Sequence, residues 1–277
     1  MHLRSLLRLA FGALCLGAFL GTASAGLVPI DLDVSSLFNS DVILNNGGPD
    51  ATGYTAQGIF GDSTQGEVDK AGRIWMTQSV ALAHNTSSVG LGDRDGLPDD
   101  GFFPATAFHP DIRLAYRNSD DGPNAYTSTS SSASFSFHVA PNRYHQLSIL
   151  ATTGSGSATL DATLHYLDGS SEARAGLQVP DWFWSITEDA DRFYLIDGLD
   201  RLNRSNGNYE NSNNPAIFGL NLHPDPTRTL VSVDIQKVGG GSSRLNVYGA
   251  TGMVPEPASL TLLGLGALGL LARRRRT

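Results

Sequence analysis

The chain has 277 residues and a formal net charge of −8, with 17% of residues charged and 40% hydrophobic. Gly (31) and Pro (13) are too few, and apolar residues too many, for a disordered or collagen-like polymer. The acid excess excludes nucleic acid as the main partner, because phosphates need a basic face; long acid-free apolar runs occur only at the two ends, which excludes a polytopic membrane protein.

The first 25 residues read as a secretory signal peptide. Arg4 and Arg8 precede an apolar stretch from Leu9 to Leu20, and Ala23 and Ala25 are small enough for the cleavage pocket, so the cut falls after Ala25. The implied partners are a translocon and a signal peptidase. Leu14, not a small residue, precedes Cys15, which argues against a lipoprotein. Cys15 is also the single cysteine, so the mature chain must be held by core burial rather than disulfides.

Residues 26–254 form the body, with 26 acidic residues against 13 basic ones. A surface of this sign favours cations and repels anionic polymers. Four carboxylates, Asp93, Asp95, Asp99 and Asp100, crowd a Gly/Pro-rich loop ending at Gly101. Asp-x-Asp-Gly loops can supply several of the six to eight oxygens that calcium wants. The loop departs from an EF-hand in its incomplete Asp order and its missing Glu at the twelfth position. No cofactor is required by any motif; calcium is the one candidate, and a solvated turn accounts for the same residues.

Beyond this loop the periodicity is that of β-strands. Phe135, Phe137 and Val139 alternate with polar residues, and Leu147, Ile149 and Ala151 continue the period. Leu160, Ala162, Leu164 and Tyr166 lead into Asp168-Gly169, after which Ala173, Ala175, Leu177 and Val179 return on one face. Asp-Gly between alternating runs predicts a hairpin. Asp181, Trp182 and Trp184 form a candidate sugar contact, aromatic faces beside a carboxylate, although core packing explains a tryptophan equally well. The spacing of Trp182, Ile186 and Ala190 makes Trp182–Leu199 the best candidate for a helix. Val231, Val233 and Ile235 predict another strand face, Gly239–Ser243 a flexible loop, and Leu245–Tyr248 a last strand.

Many short strands with frequent turns and no βαβ rhythm predict an all-β fold, an antiparallel β-sandwich. The runs Tyr144–Gly156, Leu164–Ser170, Val179–Trp182 and Leu245–Thr251 resemble bacterial jelly-roll modules similar to galactose-binding-like domains. Those modules are often attached to glycosidases. The resemblance implies the fold more than a sugar, since a fold alone does not license a ligand.

The carboxyl end, residues 255–277, carries Pro255-Glu256-Pro257, an apolar segment from Ala258 to Ala272, and Arg273, Arg274, Arg275 and Arg276. Fifteen residues make a helix of only about 22 Å, short of the roughly 30 Å hydrocarbon core. The arginines orient it with the carboxyl end in the cytoplasm. This tripeptide, short Leu/Gly-rich helix and arginine cluster, behind a signal peptide, resemble the PEP-CTERM sorting signal. The resemblance implies recognition by an exosortase, a membrane-embedded transpeptidase of Gram-negative bacteria, and an association with exopolysaccharide. The protein is thus expected to cross the inner membrane, to be anchored transiently by its tail, and to end at the cell surface or in the extracellular matrix.

Catalytic motifs are absent: there is no Gly-x-Ser-x-Gly, no His-Glu-x-x-His and no phosphate loop, and the mature chain lacks a cysteine nucleophile. The expected function is that of a non-catalytic surface or biofilm-matrix protein that contacts extracellular polysaccharide. Two alternatives stay open: a secreted glycosidase-like hydrolase using a carboxylate pair, and a structural or adhesive protein with no specific ligand.

Overall fold

The computed structural model describes residues 27–44, 66–83, 95–116, 122–204, 208–210, 212 and 214–256. Its compact unit is Pro29–Val254. The strands are β1 (Leu27–Leu32), β2 (Ile43–Leu44), β3 (Arg73–Met76), β4 (Phe102–Phe103), β5 (Ile112–Arg113), β6 (Tyr126–Ser128), β7 (Ser134–Asn142), β8 (Gln146–Gly154), β9 (Ala158–Tyr166), β10 (Ser171–Val179), β11 (Arg192–Ile196), β12 (Arg201–Asn203), β13 (Asn208–Glu210), β14 (Ile217–Leu222), β15 (Leu230–Gly239) and β16 (Arg244–Pro255). Described helix is limited to one short segment, α1 (Gln78–Ala83), and a 3-10 turn at Ser35–Leu37. The protein is all-β.

Two antiparallel sheets dominate. One runs β10-β9-β15-β7, and the other β1-β16-β8-β14-β11, with the short β6 also paired to β16. Their facing residues form one core, including Phe135 and Phe137 from β7, Leu160 and Leu164 from β9, and Val233 and Ile235 from β15. Across from them lie Leu147 and Ile149 of β8, Leu220 of β14 and Val247 of β16. The first sheet keeps its other face in water. In β9 every second residue from Ala158 to Tyr166 is buried, and in β7 only Phe135, Phe137 and Val139 are. That is the alternation expected of a sheet with one wet face.

The second sheet has no wet face over most of its length. β14 is buried at all six positions, and β16 from Leu245 to Gly252. Its far side packs against irregular chain and two small sheets, β13-β12-β3-β2 and β4-β5. Leu150, Phe193, Ile217 and Tyr248 join Trp75, Trp182, Leu97 and Ile112 in this second core. Trp75 meets Trp182 edge to face at 5.0 Å, and its Nε1–H donates to the Tyr248 hydroxyl at 2.8 Å. Burying the indole N–H without that partner would forfeit a hydrogen bond in the driest part of the molecule.

Three sequence expectations need correction. Ala173 and Ala175 do not share a face with Leu177 and Val179. The β10–β9 register shifts between Arg174 and Leu177, a bulge at which Gly176 adopts φ 79°. One extra residue inverts the side-chain phase, so Glu172 and Arg174 point inward before the bulge, and Leu177 and Val179 after it. The same effect removes Val231 from its predicted face, because β15 carries one extra residue against β9 between Leu230 and Ser232.

Trp182–Leu199 is not a helix. Trp182–Asp189 is irregular and β11 follows, burying Phe193 and Leu195 alternately. Asp181, Glu188 and Asp189 accept the backbone N–H groups of Phe183, Tyr194 and Arg192 at 3.1, 2.9 and 3.0 Å. Side chains that bond nearby backbone in this way compete with a helical ladder. Opposite β11, a Cβ at Gly219 would lie 2.0 Å from the Phe193 ring, so the ring lies over bare glycine backbone.

The Gly239–Ser243 loop is held from inside. Lys237 occupies an inward position of β15, is 1% exposed, and donates from Nζ to the carbonyls of Gly241 at 3.0 Å and Ser243 at 2.6 Å. Burial, and then the charge of Lys70, lower the pKa of this ammonium. From outside, Lys70 donates to Ser242 Oγ at 2.6 Å.

Candidate functional site

A cleft among the described residues lies where β1 and β16 meet the β4–β5 hairpin. It has a volume of about 480 Å³ and is lined by Asp31, Leu32, Asp33, Val34, Ser35, Phe38, Asp100, Arg113, Leu114, Ala115, Tyr248, Gly249 and Ala250. Strand alternation sets its chemistry. Leu32 and Val34 are buried in the core between the two large sheets, while Asp31 and Asp33, alternating with them, are exposed. A register shift in β16 between Val247 and Gly249 turns Tyr248 into the second core and leaves Gly249 on the cleft floor. There a Cβ would stand 2.8 Å from Leu114 Cδ2, so only glycine lets Leu114 approach β16 without displacement.

The rim is polar and the floor apolar. Asp33 Oδ1 accepts both the N–H and the hydroxyl of Ser35 at 3.0 and 2.6 Å, and these bonds, the hydroxyl first, hold its carboxyl below the usual range. Asp100 Oδ1 accepts Phe102 N–H at 3.0 Å. Arg113, the one cation on the rim among the described residues, lies 4.7 Å above the Phe102 ring. Carboxylates, a guanidinium and a hydroxyl around an apolar floor with the half-buried Phe38 ring suit a ligand that is polar at its edge and apolar on its face.

The acidic loop is divided among different duties. Asp95 donates its N–H to Asp200 Oδ2 at 2.9 Å and its carbonyl accepts Asp200 N–H at 2.9 Å. Asp99 Oδ1 accepts the N–H and hydroxyl of Ser79 in α1 at 3.1 and 2.6 Å. Asp100 turns to the cleft, and Asp93 lies outside the described residues. No group of three or more metal-ligating side chains comes together among the described residues. The loop glycines serve close approach: a Cβ at Gly101, where φ is 67°, would lie 2.3 Å from the Leu114 carbonyl, and one at Gly96 would lie 2.6 Å from Thr77 backbone. Tyr116 donates to the Pro98 carbonyl. Its pKa is raised, mainly by burial and then by the charges of Asp100 and Asp99.

The predicted sugar contact is split between core and surface. Trp182 is 2% exposed and belongs to the second core, whereas Trp184 is 56% exposed. Asp181 accepts Gly156 N–H at 2.6 Å and Phe183 N–H at 3.1 Å, which ties two turns together. Phe183 sits beneath Arg201 at 4.4 Å, and Arg201 is fixed by Glu210 at 2.6 Å. Of the three residues, only Trp184 presents its ring to solvent.

Sequence reasoning missed Asp31, Asp33 and Arg113. The alternation of acids and aliphatics in Ile30-Asp31-Leu32-Asp33-Val34, which runs past the end of β1, was the available signal. It also missed Asp200, which is 1% exposed and accepts Ser212 N–H at 2.8 Å, Asp95 N–H and the Tyr209 hydroxyl. Nothing in the sequence distinguishes that buried carboxylate from a surface one.

Of the sorting segment, Pro255 closes β16 and Glu256 is exposed, while Pro257 and Arg273, Arg274, Arg275 and Arg276 lie outside the described residues, as do Ala23 and Ala25. Among the described residues no helix is long and apolar enough to cross a membrane. Residues 254–276 match the PEP-CTERM protein-sorting motif. No curated protein matches the chain. A chain from a solved structure titled "Structure of infectious bursal disease virus Gt strain" is 14% identical over 83% of this chain and 62% of its own length. Its TM-score of 0.12 carries no argument about the fold.

Proposed function

Starting from a carboxyl-terminal exosortase-sorting motif on an all-β body, we propose a non-catalytic surface or matrix protein whose cleft holds hydroxyl-rich units of extracellular polysaccharide. The signal peptide delivers it through the translocon, the tail anchors it in the inner membrane of a Gram-negative cell, and exosortase processing passes it outward. Its partners on that route are signal peptidase and exosortase.

The cleft carries the reading. About 480 Å³ accommodates one or two sugar rings, with Phe38 and the aliphatic floor for ring faces and Asp31, Asp33, Asp100, Ser35 and Arg113 for hydroxyls. Strand order supports the scaffold. Counting β6–β10 and β14–β16 as strands one to eight, one sheet runs one-eight-three-six and the facing sheet two-seven-four-five. That is the order of a jelly roll, two Greek keys folded into a double sheet. The binding reading does not require calcium on the Asp93–Asp100 loop, where Asp99 and Asp100 accept the N–H groups of Ser79 and Phe102.

A glycan-binding screen of the processed protein tests this function. Binding to extracellular polysaccharide that falls at least tenfold in Arg113→Ala and in Asp33→Asn, with melting temperature unchanged, is the expected result. Equal binding by parent and variants would move the site elsewhere, and no binding to any glycan would leave a structural or adhesive protein.

A further inference from the structure

The two edges of the β10-β9-β15-β7 sheet are built differently. At β10 the Gly176 bulge breaks the ladder, with its N–H tied to Asp161 Oδ1 at 2.8 Å, and the inward Arg174–Glu172 pair at 2.6 Å places charge at the edge. Bulges and inward charges block the addition of a further strand. At β7 a register shift and Pro141 lie beyond His138, and the stretch Ser134–His138 carries neither a bulge nor an inward charge. No residue from Ser134 to Asn142 is charged, and β7 itself is regular along its pairing with β15 from Ser134 to His138.

The free side of β7 can be read from its bonds. Lys237 N–H donates to the Ala133 carbonyl at 2.8 Å, which makes Ala133–Lys237 a hydrogen-bonded pair. By antiparallel alternation Phe135–Ile235 and Phe137–Val233 are too. The N–H and C=O groups of Ser134, Ser136 and His138 therefore point away from β15. These three residues are exposed, and among the described residues no strand lies beyond β7. Ala140, next in the series, already spends its carbonyl on the Tyr144 hydroxyl at 2.8 Å, which limits the open stretch to Ser134–His138.

We infer that this open edge pairs with the same edge of a second copy, antiparallel about a two-fold axis at Ser136. Self-pairing at this centre sets Ser134 opposite His138 of the copy and Ser136 opposite itself, and each such pair exchanges two backbone hydrogen bonds. On the inner face Phe135 meets Phe137 of the copy, extending the apolar layer across the junction. Charge favours this occupant: the body has twice as many acids as bases, yet this stretch carries no carboxylate to repel its twin. One strand pairing buries less than the roughly 1,200 Å² of a stable free dimer. Association is accordingly weak in dilute solution and strengthens where copies are crowded, as on a cell surface or in a matrix.

Cross-linking in the full chain, expressed in its host, tests the pairing. The parent's single cysteine, Cys15, sets the baseline. Ser136→Cys places two thiols on Cα atoms about 5.5 Å apart, within the roughly 4.4–6.8 Å that a disulfide spans. Mild oxidation should convert at least a third of Ser136→Cys to a disulfide-linked dimer. Gln236→Cys, exposed on neighbouring β15 but off the edge, should stay at the baseline. Ser136→Cys no more cross-linked than Gln236→Cys overturns the proposal. Should Ser136→Cys fail to accumulate, Ser134→Cys co-expressed with His138→Cys decides: a mixed dimer exceeding either variant alone supports the two-fold register, and its absence overturns it.

Discussion

The two faces of the β1-β16-β8-β14-β11 sheet bury comparable aromatic and aliphatic side chains, yet they are built by different means. Toward β10-β9-β15-β7 the core is a stack of alternating strand residues with few polar atoms. Toward the irregular layer it is stitched by polar groups: Trp75 to Tyr248, Asn124 to the N–H of Val42 at 2.9 Å and of Ile43 at 3.2 Å, and Asp200 to three donors. Irregular chain has no ladder to satisfy its backbone, so buried side chains must do it. The regular face supplies rigidity, and the stitched face supplies the loops and the cleft.

The largest expected effect breaks the regular face. Leu160→Ala removes a fully buried side chain between two sheets that cannot collapse around it, and should cost about 2–5 kcal/mol in urea unfolding. A loss below about 1 kcal/mol would mean that the two sheets are not closely packed there.

Next comes the stitched face. Asp200→Ala leaves the N–H groups of Asp95 and Ser212 and the Tyr209 hydroxyl without this carboxylate, at a cost of about 1–3 kcal/mol. Proteolysis within 95–101 should accelerate in this variant while β7–β10 stay protected. Uniform loss of protection would show that the two faces unfold as one unit.

Legibility follows the same division. Strands β7 and β9 announce themselves because only one of their faces is apolar. β14 escaped the reading because Ile217–Leu222 is buried on both sides and shows no period. The bulge at Gly176 inverted half of β10, since one residue changes the face while leaving the composition untouched. In the stitched layer the Asp-rich loop was visible as a cluster, but not that Asp99 serves Ser79 and Asp100 the cleft. Such partners lie far away in sequence. Asp31 and Asp33 could have been found from the alternation of acids and aliphatics over residues 30–34.

A smaller effect comes from Lys237, the polar exception in the regular core. Its folded pKa is lowered, so between that value and the ordinary 10.5 the unfolded chain holds more proton than the folded one. Stability should therefore rise with pH through that window and level off above it. Lys237→Met should flatten this slope in thermal melts from pH 8 to 10.5; a slope unchanged by the substitution would assign it to other groups.

The smallest effect concerns calcium. With the Asp99 and Asp100 carboxylates directed to separate partners and the Asp95 backbone tied to Asp200, melting temperatures in millimolar calcium and in chelator should differ by no more than about one degree, a fraction of a kcal/mol. A rise of several degrees, lost in Asp95→Ala, would return the Asp93–Asp100 loop to metal binding.

Under the proposed function, ligand binding belongs to the stitched face and the regular face is scaffold. Amide hydrogen exchange of the processed protein, with and without the host's extracellular polysaccharide, tests it most directly. Added protection is expected in 31–38 and 98–115, around Asp33, Asp100 and Arg113, with none on the wet face of β9 and β15. Protection confined to β9 and β15, with the cleft segments unchanged, would contradict it.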